Sequence, residues 1–319
     1  MMKLDDFLSK ADTIAVSGHV NPDGDCLGST LGCYNYVKEN YPDAKVTLYL
    51  DSSSKAFSFM PGYEEIEETR PNGAKFDLFI ALDCADKGRL GDSGRVFDNS
   101  DVTICIDHHV SNTGFADHNV IEADASSACE VLYTLLNPDK VSLNTAMCIY
   151  TGIVHDTGVF QYSCTGRRTM DIAGRLMEYG FDFPQLISES FYEKSYGQNR
   201  MMGKVLCESE LYYDGAVVSG VARHEDMEKY GVTSKDMDGI VEQLRNTKGN
   251  EVALFMYQIQ GGWKVSMRSR GVDVSPVAVK FGGGGHERAA GCSLMKMSYE
   301  KALETILPVI KEAIDIYNA

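Results

Sequence analysis

The first half of the chain alternates short apolar runs with longer stretches that have helical periodicity. The apolar runs are each short enough for one strand and cover residues 13–17, 45–50, 76–82 and 102–106. Helices are predicted over residues 26–39, 127–136, 143–154 and 165–179. Strands that alternate with helical connections favour a parallel sheet with helices on both faces. The pattern therefore predicts an α/β domain, which we assign to residues 1–186.

The pattern changes in the second half of the chain, where alternating strands predominate. These strands are predicted over residues 211–219, 252–259 and 263–268. A glycine-rich segment follows at 281–291, and an amphipathic helix over 299–317 closes the chain. We expect a smaller α/β domain with a mixed sheet over 207–319, a helical linker over 187–206, and an active site in the cleft between the two domains.

Composition and cysteine usage indicate a cytoplasmic protein. Apolar residues make up 44 % of the chain and charged residues 24 %, which is an ordinary globular composition. No apolar run approaches the roughly 20 residues that a membrane helix needs, and residues 1–8 lack the apolar segment of a secretory signal. The nine cysteines include no Cys-x-x-Cys pair. We therefore expect reduced thiols, no disulfide framework and no membrane partner.

The charge balance excludes one class of partner. The chain has 30 basic and 46 acidic residues and a net charge of −16. Such a chain lacks the broad basic surface that binds long duplex nucleic acid. An anionic substrate would have to be small and to meet a local concentration of positive charge.

Acidic and imidazole side chains follow the apolar runs of the first half. His19, Asp23 and Asp25 follow the first run, Asp83 follows the third, and Asp107-His108-His109 follows the fourth. Asp156 follows the helix predicted to end at residue 154. Because ligands of parallel sheets bind beyond the carboxyl ends of the strands, we expect these side chains to meet at one edge.

A set of this kind suits divalent cations. It has too many anions for one ion and too few sulfur atoms for structural zinc. Oxygen ligands with a minority of imidazoles favour octahedral Mn²⁺ or Mg²⁺, and Asp83 would bridge two ions because it follows the most apolar strand. Each part also has a plain structural interpretation: Asp83 as a strand-end cap, His108 and His109 as a turn, and Asp156 as the close of a glycine turn.

The order of these motifs resembles that of the DHH phosphoesterase superfamily. The resemblance rests on His19-x-x-x-Asp23-x-Asp25, Asp83, Asp107-His108-His109 and Asp156. In the second half, Gly283-Gly-Gly285-His286-x-x-Ala-Ala-Gly291 is similar to the motif of the DHH-associated C-terminal domain. The soluble two-domain form resembles the nanoRNase and pAp-phosphatase group of that superfamily.

The resemblance implies roles for individual residues. His19, Asp23 and Asp83 would hold one Mn²⁺, and Asp25, Asp83, His108 and Asp156 would hold a second, with Mg²⁺ or Co²⁺ as substitutes. His109 would face the substrate phosphate, and Asp107 would orient the imidazoles. His155 stands where the family is expected to have Thr. We favour a helix-end role for it over a polar contact near the metals.

The same resemblance implies an activity. A hydroxide bridging the two ions would attack phosphorus in short single-stranded RNA, in pApA-type dinucleotides and in pAp, and mononucleotides would be released. The enzyme would be an oligoribonuclease and phosphatase, and a homodimer is implied. Two alternatives stay open at this point: a phosphatase like the family II inorganic pyrophosphatases, and a nucleotide-binding sensor without catalysis.

Contacts to the substrate are expected from the second domain. Residues 261–290 contain five basic and two acidic residues, a local net charge of +3. Arg268 is predicted to bind a phosphate group through both of its terminal nitrogens, and consecutive glycines let backbone N–H groups approach a phosphate. The predicted substrate-binding residues are Arg268, Ser269, Gly283, Gly284, Gly285 and His286.

Three further assignments concern residues around these motifs. Trp263 and Phe281 are predicted to be core residues of the second domain, in preference to stacking platforms for a base. Ser126 and Ser127 either cap a helix or donate to a phosphate from its N-terminus.

Overall fold

The computed structural model describes residues 2–51 and 55–319, and the chain divides between Glu193 and Lys194 into two compact units. This boundary lies inside the segment 187–206 that the pattern predicts as a helical linker. Within the described residues, no helix combines the length and apolar character that crossing a membrane requires. All nine cysteines are free thiols.

In the described residues of the first unit, six strands form a parallel sheet. The strands are β1 Thr13–Ser17, β2 Lys45–Tyr49, β3 Ile66–Glu67, β4 Leu78–Leu82, β5 Val102–Asp107 and β6 His118–Ile121. The helices are α1 Asp5–Leu8, α2 Gly24–Asn40, α3 Ser93–Asn99, α4 Ala128–Leu135, α5 Leu143–Asp156, α6 Arg167–Met177 and α7 Phe183–Ile187, and a π-helical turn Ser188–Tyr192 follows α7. The predicted α/β class is confirmed.

Strand order fixes where a ligand can bind in this unit. The order is β3-β2-β1-β4-β5-β6, so the chain builds outward from β1 in one direction and from β4 in the other. β1 and β4 are neighbours, with Ile14 beside Leu78 and Ser17 beside Ala81. At this point the connections leave the sheet in opposite directions and open a crevice beyond the carboxyl ends of the two strands. All five residues of β4 are buried.

Helix α2 lies against the sheet of the first unit, and α5 packs closely on α2. Residues 24–37 of α2 are all buried. At Gly28, a Cβ atom would lie 2.7 Å from the carbonyl oxygen of Cys148 and from the amide nitrogen of Gly152. The two backbones can approach this closely only because Gly28 has no side chain. This contact sets the spacing between the helices that carry Asp25 and Asp156.

The second unit contains a mixed sheet of six strands in the order β11-β12-β10-β9-β8-β7. The strands are β7 Glu210–Tyr212, β8 Val217–Ala222, β9 Val252–Ile259, β10 Gly262–Ser269, β11 Gly284–His286 and β12 Ala289–Met295. The helices are α8 Tyr196–Cys207, α9 His224–Tyr230, α10 Ile240–Arg245, α11 Ser275–Lys280 and α12 Tyr299–Tyr317. β8 and β9 are parallel, and the other neighbours are antiparallel.

Two apolar cores lie in the second unit. One contains residues of α11 and α12, among them Val277 and Ile306, and also holds Trp263, which is 5 % exposed. Phe281 is partly buried against the same core, so both aromatic residues are core residues as predicted. The other core holds Met201 and Val205 of α8, both fully buried. Much of the segment predicted as a linker is therefore packed inside this unit.

Two local expectations are wrong. The run 211–219 forms two strands, β7 and β8, and not one. Between them the backbone turns through Tyr213, Asp214 and Gly215, all with positive φ, and the Asp-Gly pair favours this turn. Asp156 does not follow a helix but is the last residue of α5.

Candidate metal centre

Asp83 lies at the carboxyl end of the central strand β4. Its backbone has φ +55°, which is uncommon for a residue with a side chain but is tolerated by Asp. Its amide donates to the carbonyl of Ile106 at 3.1 Å, which ties this turn to β5. Asp83 is only 2 % exposed. An unusual backbone and a buried carboxylate at a strand end together indicate a functional residue.

The loop after β1 gives two more side chains. Asp23 is the N-cap of α2: its Oδ1 accepts from the amides of Asp25 and Cys26, each at 3.1 Å. Its other oxygen, Oδ2, lies 3.6 Å from His19 Nε2. His19 Nε2 is also 3.4 Å from Asp83 Oδ2. The helix cap therefore turns the second carboxylate oxygen of Asp23 towards His19, which also contacts Asp83.

Asp25 is held by a different helix. Its oxygens accept from the amides of Ala128, at 2.6 Å, and Cys129, at 3.0 Å, in the first turn of α4. The N-cap of α4 is Ser127, whose hydroxyl accepts from the amide of Glu130. Ser127 thus has the capping role, and the helix N-terminus that could have met a phosphate binds the carboxylate of Asp25.

Glu130 anchors α4 to α6. Its Oε2 accepts from the hydroxyls of Ser126 and Thr169, each at 2.6 Å, and its Oε1 accepts from Arg168 Nε at 2.5 Å. Burial raises the pKa of Glu130, but the hydrogen bonds from Ser126, Thr169 and Arg168 outweigh this and hold the pKa below its ordinary value. A carboxyl group with a lowered pKa stabilises the fold above the pKa of the unfolded chain, and this stabilisation is lost as the pH falls through the folded-state pKa.

A Glu130→Gln variant is therefore expected to be less stable than the wild type at pH 7, by about 2 kcal/mol. The difference should shrink as the pH falls through the lowered folded-state pKa of Glu130, where the wild-type carboxylate also becomes protonated. Urea unfolding at pH 7 and at about pH 2.5 measures the difference in the two states. The matched control is Glu178→Gln, which changes an exposed carboxylate and should leave stability unchanged at both pH values. An equal Glu130→Gln deficit at the two pH values would contradict this interpretation.

The end of β5 places two imidazoles beside Asp83. His108 Nε2 lies 3.6 Å from Asp83 Oδ1, and His109 Nδ1 lies 3.7 Å from the same oxygen. Asp107 is fully buried; its Oδ1 is 2.8 Å from His109 Nδ1, and its Oδ2 accepts from Asn112 at 2.8 Å. Asp107 thus fixes the orientation of the His109 ring, and Asn112 fixes Asp107.

Asp156 completes the cluster from the end of α5. Its Oδ2 lies 3.5 Å from His108 Nε2, and Asp25 Oδ2 lies 3.9 Å from the same nitrogen. The structure thus brings together all the residues predicted as metal ligands, namely His19, Asp23, Asp25, Asp83, His108 and Asp156. The two oxygens of Asp83 face different groups: Oδ2 faces His19, and Oδ1 faces His108.

The pKa shifts in the cluster reflect carboxyl groups that are buried and close to one another. Burial raises the pKa of Asp25 well above its ordinary value, and the charges of Asp83 and Asp156 raise it further. Burial, followed by the charges of Asp83 and Asp23, raises the pKa of Asp156 to about 8. Burial lowers the pKa of His19, but Asp23 and Asp83 outweigh this and raise it to about 10. Carboxylates this close repel one another unless a cation lies between them.

A second observation supports divalent cations at the cluster. Asp83 Oδ1 is buried and has no hydrogen-bond partner among residues 2–51 and 55–319. A buried oxygen of this kind is costly unless something satisfies it. Carboxylate oxygens and imidazole nitrogens are the donors that Mn²⁺ and Mg²⁺ take. The donors present therefore match the predicted cations.

Three residues near the cluster were not predicted from the sequence. Asn112 is one, and nothing in its sequence context marks it. Cys26 is another: its thiol lies within 4.8 Å of ligand atoms of His19 and Asp83. Burial raises the pKa of Cys26 well above its ordinary value, so the thiol is protonated, and it donates to the carbonyl of His19. The third is Arg89, whose Nη2 is 3.0 Å from His19 Nδ1.

His155 packs among aromatic rings next to the cluster. Its ring centroid is 4.9 Å from that of Phe57 and 5.3 Å from that of Phe191, and the ring also covers Gly24 at the start of α2. These contacts agree with the helix-end role that we favoured for His155.

In the second unit, the predicted substrate-binding residues lie near one edge of the sheet. Arg268 on β10 is opposite Ala289 on β12, which is opposite His286 on β11. Directly opposite residues share a face, so Arg268 and His286 lie on the same face of the sheet. Arg268 Nε donates to Glu242 Oε1 at 2.9 Å. Ser269 is buried, and its hydroxyl donates to the carbonyl of Val272. Gly283, Gly284 and Gly285 are exposed.

Known proteins are similar to this chain over most of its length. Residues 13–153 match the DHH family, N-terminal domain, and residues 214–315 match the DHHA1 domain. A Bacillus subtilis protein named bifunctional oligoribonuclease and PAP phosphatase NrnA is 30 % identical over 292 residues, which are 90 % of this chain and 91 % of that protein.

A second relative and a solved structure extend the comparison. The Thermus thermophilus protein of the same name is 31 % identical over 94 % of this chain and 89 % of its own. The crystal structure of an exopolyphosphatase-related protein from Bacteroides fragilis has a TM-score of 0.89 and 26 % identity, and covers 98 % of this chain and 94 % of its own. The chain therefore belongs to the DHH family of phosphoesterases, in the form that combines a DHH domain with a DHHA1 domain.

Proposed function

We propose that this chain is a divalent-cation-dependent hydrolase that cleaves short oligoribonucleotides, pApA-type dinucleotides and pAp to mononucleotides. One observation carries the proposal: the two oxygens of Asp83 face two separate groups of ligands, His19 with Asp23, and His108 with Asp25 and Asp156. A carboxylate that serves two groups is the arrangement expected of a two-cation phosphoesterase. The names of the NrnA relatives support the choice of substrates.

The proposed cations are two Mn²⁺ ions, with Mg²⁺ or Co²⁺ as substitutes. His19, Asp23 and Asp83 would hold one, and Asp25, Asp83, His108 and Asp156 the other. When bound, such cations make water acidic enough to attack at neutral pH and neutralise charge on a phosphoryl group. Two amides in the first turn of α4 donate hydrogen bonds to the Asp25 carboxylate and keep it in place. This ligand therefore loses little conformational entropy when a cation binds.

His109 is proposed to hold the phosphoryl group. The hydrogen bond with Asp107 is the main cause that raises the pKa of His109, to about 9, although burial acts in the opposite direction. The ring is therefore positively charged at neutral pH. It can donate a hydrogen bond to an anionic oxygen while Asp107 fixes its orientation.

A His109→Gln variant is expected to keep its affinity for Mn²⁺ and to lose turnover by a factor of about 100. Manganese binding can be followed by electron paramagnetic resonance, and turnover by chromatography of the products. The control is His118→Gln, which changes an exposed imidazole on β6 and should leave both quantities unchanged. Loss of Mn²⁺ binding by His109→Gln would assign the residue to the metal and not to the phosphate.

The second unit is proposed to bind the rest of the substrate. Arg268 and His286, on one face of the sheet, would contact phosphate groups, and the backbone of Gly283–Gly285 is exposed to approach them. For Arg268, a substrate phosphate would have to compete with the carboxylate of Glu242. The proposal also includes a homodimer, which light scattering of the purified protein tests.

Incubation of purified protein with Mn²⁺ and a panel of substrates tests the function. The panel contains RNA of two to five nucleotides, pApA, pAp, a cyclic dinucleotide and inorganic pyrophosphate. We expect mononucleotides from the linear substrates and much slower cleavage of pyrophosphate. Preferential cleavage of pyrophosphate would favour a pyrophosphatase-like enzyme. Tight binding without hydrolysis of any substrate would favour a nucleotide sensor.

A further inference from the structure

Arg89 places a guanidinium group against the cation-binding cluster of the first unit. Its Nη2 lies 3.0 Å from His19 Nδ1, and the side chain is exposed. Several other arginines of this unit are ion-paired with carboxylates, namely Arg70, Arg95, Arg167 and Arg168. Arg89 forms no such pair within the described part of the chain. Its charge is thus available at the site.

The backbone of Arg89 is fixed to the loop that carries His19. Asp86 accepts from the amides of Gly88 and Arg89, at 2.7 and 3.3 Å, and so caps the short 3₁₀ turn Lys87–Leu90. The carbonyl of Arg89 accepts from the amide of Val20 at 2.8 Å. Leu90 is buried and anchors the turn from below. The backbone of Arg89 is therefore held in a defined position next to the cluster.

His19 cannot be the acceptor for Arg89 while it serves as a metal ligand. His19 Nδ1 lies 2.9 Å from the carbonyl oxygen of Val20, which can only accept, so this contact requires a hydrogen on Nδ1. A guanidinium N–H can only donate, so its contact requires a lone pair on the same nitrogen. Metal ligation through Nε2 places the hydrogen of the neutral ring on Nδ1. Val20 then keeps its bond, and Arg89 is left without an acceptor.

We infer that Arg89 binds a phosphate oxygen of the substrate, next to the cation that His19 and Asp83 are proposed to hold. The carboxylates of the cluster repel a phosphoester, and a guanidinium matches a phosphate group through two parallel N–H bonds. The inference rests on the proposed function, since it needs a phosphoester at this site. It adds a substrate contact from the first unit to those proposed for the second.

The test compares Arg89→Ala and Arg89→Lys with Arg95→Ala. Arg95 is an exposed arginine of α3 that pairs with surface oxygens of Asp92 and Asn72. With pApA and Mn²⁺, Arg89→Ala should lose kcat/KM by a factor of about 100, and Arg89→Lys by less. Arg95→Ala should match the wild type. Added guanidinium ion should restore part of the lost activity of Arg89→Ala and have no such effect on Arg95→Ala.

Two binding measurements distinguish a phosphate contact by Arg89 from a role in positioning His19. The Mn²⁺ affinity of Arg89→Ala, from electron paramagnetic resonance, should stay within about threefold of the wild type, whereas its affinity for 5′-AMP in the presence of Mn²⁺ should fall at least tenfold. A loss of Mn²⁺ affinity that parallels the loss of turnover would overturn the inference, because Arg89 would then act by positioning His19. Unchanged kcat/KM and 5′-AMP affinity would overturn it as well.

The same measurements separate failure of the inference from failure of the proposed function. If the wild type cleaves no member of the substrate panel, the proposed function fails, and 5′-AMP binding still tests Arg89 by itself. If the wild type is active and Arg89→Ala is equally active, only the inference fails.

Discussion

An Asp83→Asn variant is expected to lose catalysis almost completely and to lose the stabilisation that Mn²⁺ gives the wild type. Asp83 is buried among carboxylates that already repel one another, and its Oδ1 has no partner in the described ranges. Removing its charge relieves this repulsion but also removes the attraction to His19, whose pKa Asp83 raises, so without metal the stability should stay within about 1 kcal/mol of the wild type. Turnover should fall by a factor of about 1,000 or more, because the residue shared by both ligand groups is lost.

The wild type should become the more stable of the two when Mn²⁺ is added. A ligand that binds only the folded protein stabilises it, by about 2.7 kcal/mol at a concentration 100 times Kd. The wild type gains this amount, and Asp83→Asn gains little. Thermal unfolding in EDTA measures the stability without metal, and thermal unfolding in Mn²⁺ measures the stabilisation by the cation. The control is Asp98→Asn, an exposed carboxylate paired with Lys87, which should follow the wild type in both conditions. A normal Mn²⁺-dependent rate in Asp83→Asn would refute the proposed centre.

A Gly28→Ala variant is expected to lose about 3 kcal/mol of stability and part of its Mn²⁺ affinity. The added Cβ would lie 2.7 Å from the backbone of α5, at Cys148 and Gly152. Backbone atoms cannot rotate away as a side chain can, so the helices α2 and α5 must separate. Asp25 lies on α2 and Asp156 on α5, so separation also moves these two proposed ligands apart. Unfolding experiments should show a fall in Tm of about 6–12 °C.

Gly174→Ala is the matched control for Gly28→Ala. Gly174 lies on an exposed face of α6, and no atom lies within 4 Å of the Cβ that alanine would add there. Alanine in that position should raise stability by up to about 1 kcal/mol, because it restricts the unfolded chain. Gly28→Ala with wild-type stability would show that the close approach of α2 and α5 is not required.

The alternation of apolar and polar positions was a reliable guide where an element is long or fully buried. The closing helix was predicted over 299–317 and spans Tyr299–Tyr317, and the buried run after residue 76 contains β4. Short elements of the second unit were missed: α9, α10 and α11 have only six or seven residues each. So few residues carry too little periodicity to distinguish a helix from a loop, and packing against the sheet decides them.

At the candidate site, the sequence predicts which side chains converge but not which groups hold them in place through hydrogen bonds. The spacing of the motifs, together with the rule for strand ends, predicted that six side chains would converge, and they do. It gave no sign that the first turn of α4, more than 100 positions along the chain, would hold Asp25. Nor did it show that Asn112 would hold Asp107, or that Arg89 would reach His19.

The amino-acid sequence by itself determined the class of fold, the chemical type of each candidate ligand and the sheet edge at which the ligands gather. Burial of apolar runs and polarity at strand ends are local properties, so a single chain displays them in order. The tertiary structure alone decided which oxygen of Asp83 faces which group, which helix N-terminus binds Asp25, and how close α2 comes to α5. These depend on contacts between segments far apart in the chain, and no local pattern specifies such distances.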